Sequence, residues 1–308
     1  MIARLRGGNT VPVAAALAAA PLVVLPFVLS SGGTGRLAVY GTYVIAIAGI
    51  DLLLGQAGAV SLGQAAFMAF GAYTTAVLIA RHGVPAAWAV AAGAGAAALA
   101  GLAVALVAAR LRPHGTSLVT LALALALPSV AGRFPGFTGG AAGIALPHPE
   151  SHLLRYGSSW AAAALLLAFA LALASTRFGR ALRSTRDNPV AAAACGVHRL
   201  PRELAAACLS AAYGGVAGGL LALDAGGVDP SMFRAQLSLL LAAGALAGGL
   251  GALWAAVPAA LVIGYLVDLA GAIPAIGPNR PGPAAFVLGA ALAAVAVVRA
   301  LAAAVSRR

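Results

Sequence analysis

The chain has 308 residues, of which 62% are hydrophobic and only 8% are charged. A soluble domain carries about 25% charged residues because its surface faces water, so this composition excludes an ordinary soluble globule. Nineteen arginines against seven acidic residues give a net charge of +12, and the sequence contains no lysine.

The absence of lysine also excludes two kinds of chemistry. A P-loop needs a lysine to reach the nucleotide phosphates, and Schiff-base catalysis needs a lysine amine. The chain therefore cannot hydrolyse ATP at a P-loop of its own. We expect no catalytic residue, no cofactor and no metal in it.

Apolar windows recur along the whole chain. A membrane-spanning helix needs about 20 mostly apolar residues. The windows that qualify are 11–29, 37–54, 61–80, 86–109, 116–131, 158–175, 203–223, 236–250, 253–271 and 284–303. The sequence therefore predicts an all-α polytopic membrane protein with about ten transmembrane helices, in which residues 1–308 form a single domain. The stretch after Arg4 and Arg6 is interpreted as a first span, because it is long and shows no convincing cleavage site.

The arginines predict the orientation of these spans. If both termini are cytoplasmic, ten spans place thirteen of the nineteen arginines on the cytoplasmic side and six on the other side. This bias follows the positive-inside rule. The longest outer loop is then 132–157, and the longest inner loop is 176–202, which holds six arginines. The basic surplus thus indicates orientation and contact with membrane lipid rather than a nucleic-acid partner.

A stretch rich in glycine and amides, GQAGAVSLGQAAFMAFGAY at 55–73, interrupts the apolar windows. On a helix over 61–78, small and polar residues gather on one side and mostly bulky residues on the other, so the bulky side can face acyl chains. The small side either packs against neighbouring helices or borders a substrate path, and the sequence leaves both alternatives open. The candidate path residues are Gln56, Ser61, Gln64 and Tyr73.

The glycines at the start of this stretch, Gly55 and Gly58, lie between two windows. They predict either a plain cytoplasmic turn or irregular backbone within the membrane, which survives only beside protein or a water-filled cavity.

The inner loop contains the sequence RFGRALRSTRDNPVAAAACGVHRLPREL at 177–204. Asn188 is a good N-cap, Pro189 suits the first helical position, and Asp187 is favoured by the helix dipole. Gly196 can end the helix in the left-handed conformation. The pattern predicts a short alanine-rich helix, which either lies on lipid headgroups or docks into a groove on a cytoplasmic partner.

The remaining candidate chemistry is scattered. Cys195 and Cys208 show no spacing for metal and are interpreted as separate structural thiols. The histidines predict no site because they are dispersed over loops, at His82, His114, His148, His152 and His198.

Four segments stand in a definite order along the chain. They are GIDLLLGQAGAVSLGQAAFMAFGAYT at 49–74, TGGAAGIALP at 138–147, ALRSTRDNPVAAAACGV at 181–197, and GGVDPSMF followed by GGLGALW within 226–254. In order and spacing they resemble the inner-membrane permeases of branched-chain amino acid ABC transporters, and the wording of the first segment resembles the second of the two permease types. The sequence has Asp51 where that family often has asparagine and Gln64 where it often has histidine.

The resemblance implies a non-catalytic transport subunit of the inner membrane, moving branched-chain amino acids or related small amino acids and amides. It implies three kinds of partner: cytoplasmic ATP-binding subunits, a second permease subunit that forms a heterodimer with this chain, and a periplasmic substrate-binding protein. It also implies that the alanine-rich helix docks on the ATP-binding subunit. The matching positions are Arg180, Arg183, Arg186, Asp187, Asn188, Ala192 and Gly196.

An ion-coupled secondary transporter is the rival interpretation. Asp51 and Asp268 lie near the ends of apolar windows, and ionisable residues within spans are functional candidates. Neither has an evident basic partner in the sequence, and the inverted repeats typical of that class are not apparent.

Overall fold

A computed structural model describes residues 31–111, 115–146, 151–249 and 251–272. The predicted spans 11–29 and 284–303 and both termini lie outside the described residues. The helices are α1 Ser31–Asp51, α2 Gln64–His82, α3 Ala86–Arg110, α4 Gly115–Arg133, α5 Pro135–Thr138, α6 His152–Ser175, α7 Arg177–Asp187, α8 Pro189–Ala194, α9 Arg199–Ala225, α10 Ala235–Gly248 and α11 Ala256–Ala272.

Short elements join these helices. A π-helical turn, Leu52–Gln56, continues α1, and 3₁₀ turns occupy Gly140–Ala142, Pro230–Phe233 and Leu253–Ala255. Two strands of two residues, β1 Ile144–Ala145 and β2 Gly227–Val228, pair antiparallel with Ile144 opposite Val228. The chain is thus helical apart from this one pair in the part that the structure describes.

The helical class predicted from composition is confirmed. Eight helices coincide with predicted windows: α1, α2, α3, α4, α6, α9, α10 and α11. Within the described residues, five stretches are long and apolar enough to cross a membrane by length and composition: 33–56, 86–110, 115–133, 152–175 and 199–225. Helices α10 and α11 are apolar but shorter. The count of ten spans and the cytoplasmic termini stay predictions.

Several boundaries differ from those expected. The outer loop ends at Ser151 rather than at residue 157, because the Ser151 side chain accepts a hydrogen bond from Leu154 N (3.3 Å) and caps α6. The inner loop is largely helical, formed by α7, α8 and the start of α9. Helix α2 begins only at Gln64, so Ser61 precedes it.

The centre of the bundle is a close approach of α9 to α2. A Cβ at Gly71 would overlap the main chain of Gly215, and a Cβ at Gly218 would overlap the carbonyl of Met68. Backbones can approach this closely only where side chains are minimal. The glycines of α9 therefore fix the position of α2.

Helix α2 is buried almost all round. Its small side packs against α9 at Gly71, which is one of the two alternatives left open, and Phe67, Tyr73 and Val77 on the bulky side are also only 3%, 6% and 7% exposed. The expectation that this side faces acyl chains is therefore wrong for these residues, because α2 lies inside the bundle. Helices α3, α4 and α6 carry the outward apolar surface, with Leu99, Leu118 and Leu165 well exposed.

The two ends of the bundle differ, and we name them by their contents. The strand end holds the β1–β2 pair and helix α5, whose Gly136 carbonyl accepts from Arg81 Nη2 at 2.6 Å. The arginine end holds α7, α8 and the non-helical residues 57–63 between the π-helical turn and α2.

Replacing Gly218 with alanine should destabilise the fold. The added methyl group would overlap the Met68 carbonyl, and overpacking of a filled core costs about 1–3 kcal/mol. The thermal unfolding midpoint of the purified protein measures the effect. The matched control is Gly95→Ala, because a Cβ at Gly95 on α3 meets nothing within 4 Å. An equal response in both variants would contradict the packing described here.

Candidate functional site

Helix α7 lies against the bundle along one side. The Thr176 side chain caps it by accepting from Gly179 N at 3.3 Å. Its buried residues are Gly179, Leu182 and Thr185, three residues apart, so they form a single stripe. Leu182 packs into an apolar cluster with Leu53, Ala57, Ala59, Ala105, Ala206 and Ala207. Helix α7 is therefore seated on the π-helical turn and on the start of α9.

Helix α8 has the caps that the sequence predicts. The Asn188 side chain accepts from Ala191 N at 3.0 Å, and Pro189 is its first residue. At the other end Gly196 has a φ of +76°, Val197 N donates to Ala192 O (2.9 Å) and Gly196 N donates to Ala193 O (3.0 Å). These bonds form a Schellman motif, so a helix of six residues is fixed at both ends.

Helix α8 presents most of its surface to solvent. Ala192 is its buried residue, at 5% exposure, whereas Val190 is 79% exposed. A short helix is marginal in water without tertiary contacts. An apolar, smooth and rigidly capped helix in this position has the properties of a docking element.

Three of the four arginines of α7, Arg180, Arg183 and Arg186, make different contacts. Arg180 is exposed and donates to the carbonyl of Ser175 at 2.6 Å. Arg183 Nη1 donates to Gln56 Oε1 at 2.8 Å. Arg186 donates to the carbonyl of Gly55, and its Nε also donates to Asp187 Oδ1 at 2.9 Å. Arg183 and Arg186 thus bind the π-helical turn.

The loop after α10 also holds the π-helical turn. Asp51 Oδ1 accepts from Gly251 N at 2.8 Å, and Gln56 Nε2 donates to Gly251 O at 3.4 Å. Gly251 has a φ of +85°, which a side chain would disfavour. Gly55 must also be glycine, because a Cβ there would overlap the Asp51 carboxylate. We call this set the Gly55 junction: Asp51, Gly55, Gln56, Arg183, Arg186 and Gly251.

The Gly55 junction contains one buried carboxylate, that of Asp51. Asp51 is only 2% exposed, and its second oxygen, Oδ2, has no hydrogen-bond partner among the described residues. A buried carboxylate is costly unless a charge offsets it, and the guanidinium of Arg186 lies close enough to interact with it. The Asp268 carboxylate accepts a hydrogen bond from the Tyr40 hydroxyl at 2.6 Å and forms an ion pair with Arg36 at 3.8 Å. The expectation that neither carboxylate has a basic partner is therefore wrong for Asp268, whereas none of the ion pairs among the described residues includes Asp51.

The four candidate path residues are not brought together. Gln56 belongs to the Gly55 junction, whereas Ser61 is 1% exposed in the loop before α2. Gln64 is fully buried and donates to the carbonyls of Ala46 (3.3 Å) and Ser210 (3.2 Å), which ties α2 to α1 and α9. Gln64 therefore links packed helices by hydrogen bonds.

Tyr73 lies nearer the strand end. It lines an apolar cavity of 310 Å³ with Phe70, Leu127 and Phe134, and its hydroxyl has no partner among the described residues. Nine residues of helix separate it from Gln64, or roughly 13 Å. If these residues border one path, the path follows about half of the length of α2.

One group of polar residues was missed in the sequence. Asp224 stands near the end of α9, one residue beyond the predicted window, and accepts from the Ser159 hydroxyl at 2.9 Å. Arg155, expected in a loop, lies on α6 and donates to the main-chain carbonyl of Asp224 at 3.1 Å. The signal that could have found them is a lone acid directly after an apolar run.

Comparison with known proteins supports the resemblance. A family model described as branched-chain amino acid transport system, permease component, matches residues 34–296. The chain is similar to the high-affinity branched-chain amino acid transport system permease protein LivM of Salmonella typhimurium and to its namesake from Escherichia coli. Each is 27% identical over 272 residues, covering 78% of this chain.

The alignment covers 64% of each relative, so the chain spans less than two thirds of their length. No solved structure matches this chain. The family model nevertheless extends from α1 past the last described helix. The chain therefore belongs to the family of branched-chain amino acid transport system permease components.

Proposed function

We propose that this chain is a transmembrane permease subunit of an ATP-driven importer in the inner membrane. Its substrates are branched-chain amino acids or related small amino acids and amides, delivered by a periplasmic binding protein. The arginine end faces the cytoplasm, in keeping with the positive-inside rule. A second permease subunit completes the path, and separate cytoplasmic subunits hydrolyse ATP.

The observation that carries this proposal is the rigid, exposed helix α8 fixed beside the Gly55 junction. Docking of α8 on an ATP-binding subunit would displace α7, because Asn188 joins the two helices directly. Arg183 and Arg186 pass that displacement to Gln56 and Gly55 at the end of α1. Gly251 passes it onward to α10 and α11.

Reconstitution tests the proposal directly. Proteoliposomes that contain the chain with its ATP-binding subunits and second permease should accumulate leucine only when ATP and the binding protein are present. The isolated chain should not accumulate leucine on a proton or sodium gradient. Uphill uptake by the isolated chain would overturn the proposal in favour of a secondary transporter.

Gly196→Val should uncouple ATP hydrolysis from uptake. A Cβ at Gly196 meets nothing within 4 Å, so the substitution acts only through the left-handed backbone, which costs about 1–2 kcal/mol for an ordinary residue. The measurement is leucine imported per ATP hydrolysed by the reconstituted complex. The control is Gly196→Asn, because asparagine tolerates this conformation, and it should retain coupling. Full coupling in Gly196→Val would show that the end of α8 does not transmit the motion.

Substitutions at Asp51 distinguish the proposal from the ion-coupled alternative. The feature that favours the alternative is the buried Asp51 carboxylate, one oxygen of which has no partner among the described residues. In Asp51→Asn the side-chain oxygen can still accept from Gly251 N, so most ATP-driven uptake should remain. In Asp51→Leu that acceptor is lost, at a cost of about 1–3 kcal/mol, and uptake should fall. Uptake rates and complex yield measure both variants. Near-complete loss in Asp51→Asn, with normal assembly, would favour ion coupling.

A further inference from the structure

A second cavity, of 390 Å³, lies at the strand end between α3, α6 and α9. Small-molecule sites occupy about 300–1,000 Å³ and combine an apolar lining with a few placed polar groups. Here the apolar lining includes Val90, Leu220 and Leu223, and two charged residues, Arg155 and Asp224, complete it. This cavity is separate from the one beside Tyr73.

The two charged side chains in this cavity do not form a direct ion pair with each other. The Asp224 carboxylate accepts from the Ser159 hydroxyl at 2.9 Å, and Arg155 Nη1 donates to the Asp224 main-chain carbonyl at 3.1 Å. Arg155 Nη2 contacts His152 Nδ1 at 2.5 Å, and its buried Nε has no partner in the described part of the chain. None of the ion pairs among the described residues joins Arg155 to Asp224.

A carboxylate and a guanidinium in an apolar cavity are costly unless they are paired and hydrogen-bonded, and charged residues at membrane depth commonly mark substrate pathways. A zwitterion presents one group to each of them: an ammonium for a carboxylate and a carboxylate for a guanidinium, both as charge-assisted hydrogen bonds. The aliphatic surfaces of α3 and α9 fit an uncharged side chain. The arrangement matches a free amino acid better than an ion of one sign.

We propose that the cavity between α3, α6 and α9 binds a zwitterionic amino acid with an aliphatic side chain at the outer end of the permease. Asp224 binds the α-ammonium group, Arg155 binds the α-carboxylate, and Val90, Leu220 and Leu223 contact the side chain. This inference rests on the proposed function, because it takes the strand end to be the side at which substrate arrives.

The reconstituted complex tests this site with three competitors of labelled leucine uptake: leucine, leucinamide without the carboxylate, and 4-methylpentanoate without the ammonium group. Asp224→Asn should raise the KM for leucine about tenfold, as expected for one lost charge-assisted bond, and leave inhibition by 4-methylpentanoate unchanged. Arg155→Gln should raise the KM for leucine in the same way and leave inhibition by leucinamide unchanged.

Control variants make the outcome decisive. Glu203→Gln, an acid on the same helix at the arginine end, should leave the KM for leucine unchanged. Val90→Leu narrows the cavity and changes no charged residue. Uptake by this variant should therefore favour alanine over leucine. This preference tests the site even if a charge variant fails to assemble. A KM in Asp224→Asn equal to that in Glu203→Gln, or an unchanged preference in Val90→Leu, would overturn the inference.

An ethanolamine lipid headgroup carries the same pair of charges, and vesicle composition distinguishes it from the amino acid. In vesicles of phosphatidylglycerol alone, the effect of Asp224→Asn on the KM for leucine should persist; its disappearance would assign the cavity to lipid and overturn the inference. If the unaltered complex shows no ATP-driven leucine uptake, the proposed function fails. If it does take up leucine and the variants behave like their control, only this site is wrong.

Discussion

The structure depends on the hydrogen-bond partners that it provides for the backbone carbonyl groups where α1 ends. A helix end leaves carbonyl groups without helical partners, and within a membrane protein such groups must be paired with protein or water. Arg186 supplies the partner for the Gly55 carbonyl. The same requirement therefore draws helix α7 onto the bundle.

This pairing connects parts of the chain that are far apart in sequence. Gly55 and Arg186 are 131 positions apart, and Asp51 and Gly251 are 200 apart. Glycine at Gly55 and at Gly251 lets the π-helical turn and the loop after α10 come into contact. In the proposed coupling, a displacement of α8 would reach α1, α10 and α11 through hydrogen-bonded groups. Helices α9 and α2 pack tightly together, and α8 would move relative to this pair.

Local features of this protein could be predicted from the sequence, and distant pairings could not. The caps of α8 follow from Asn188, Pro189 and Gly196, because each acts within one turn of its own position. Most apolar windows became helices for the same reason. The burial of Phe67 and Tyr73 could not be foreseen, because periodicity distinguishes the sides of a helix but not what covers them. Arg155 and Asp224 meet only because α6 and α9 pack together, 69 positions apart.

The most direct test of the account is a pair of distances in the assembled transporter. Spin labels at Ser184 on α7 and Trp254 after the Gly251 loop would report on the Gly55 junction, and labels at Ser184 and Leu106 on α3 would report on movement relative to the bundle, with Cys195 and Cys208 replaced. The account predicts that ATP binding leaves the first distance unchanged and shifts the second by several ångströms. A change in the first distance with a constant second distance would contradict it.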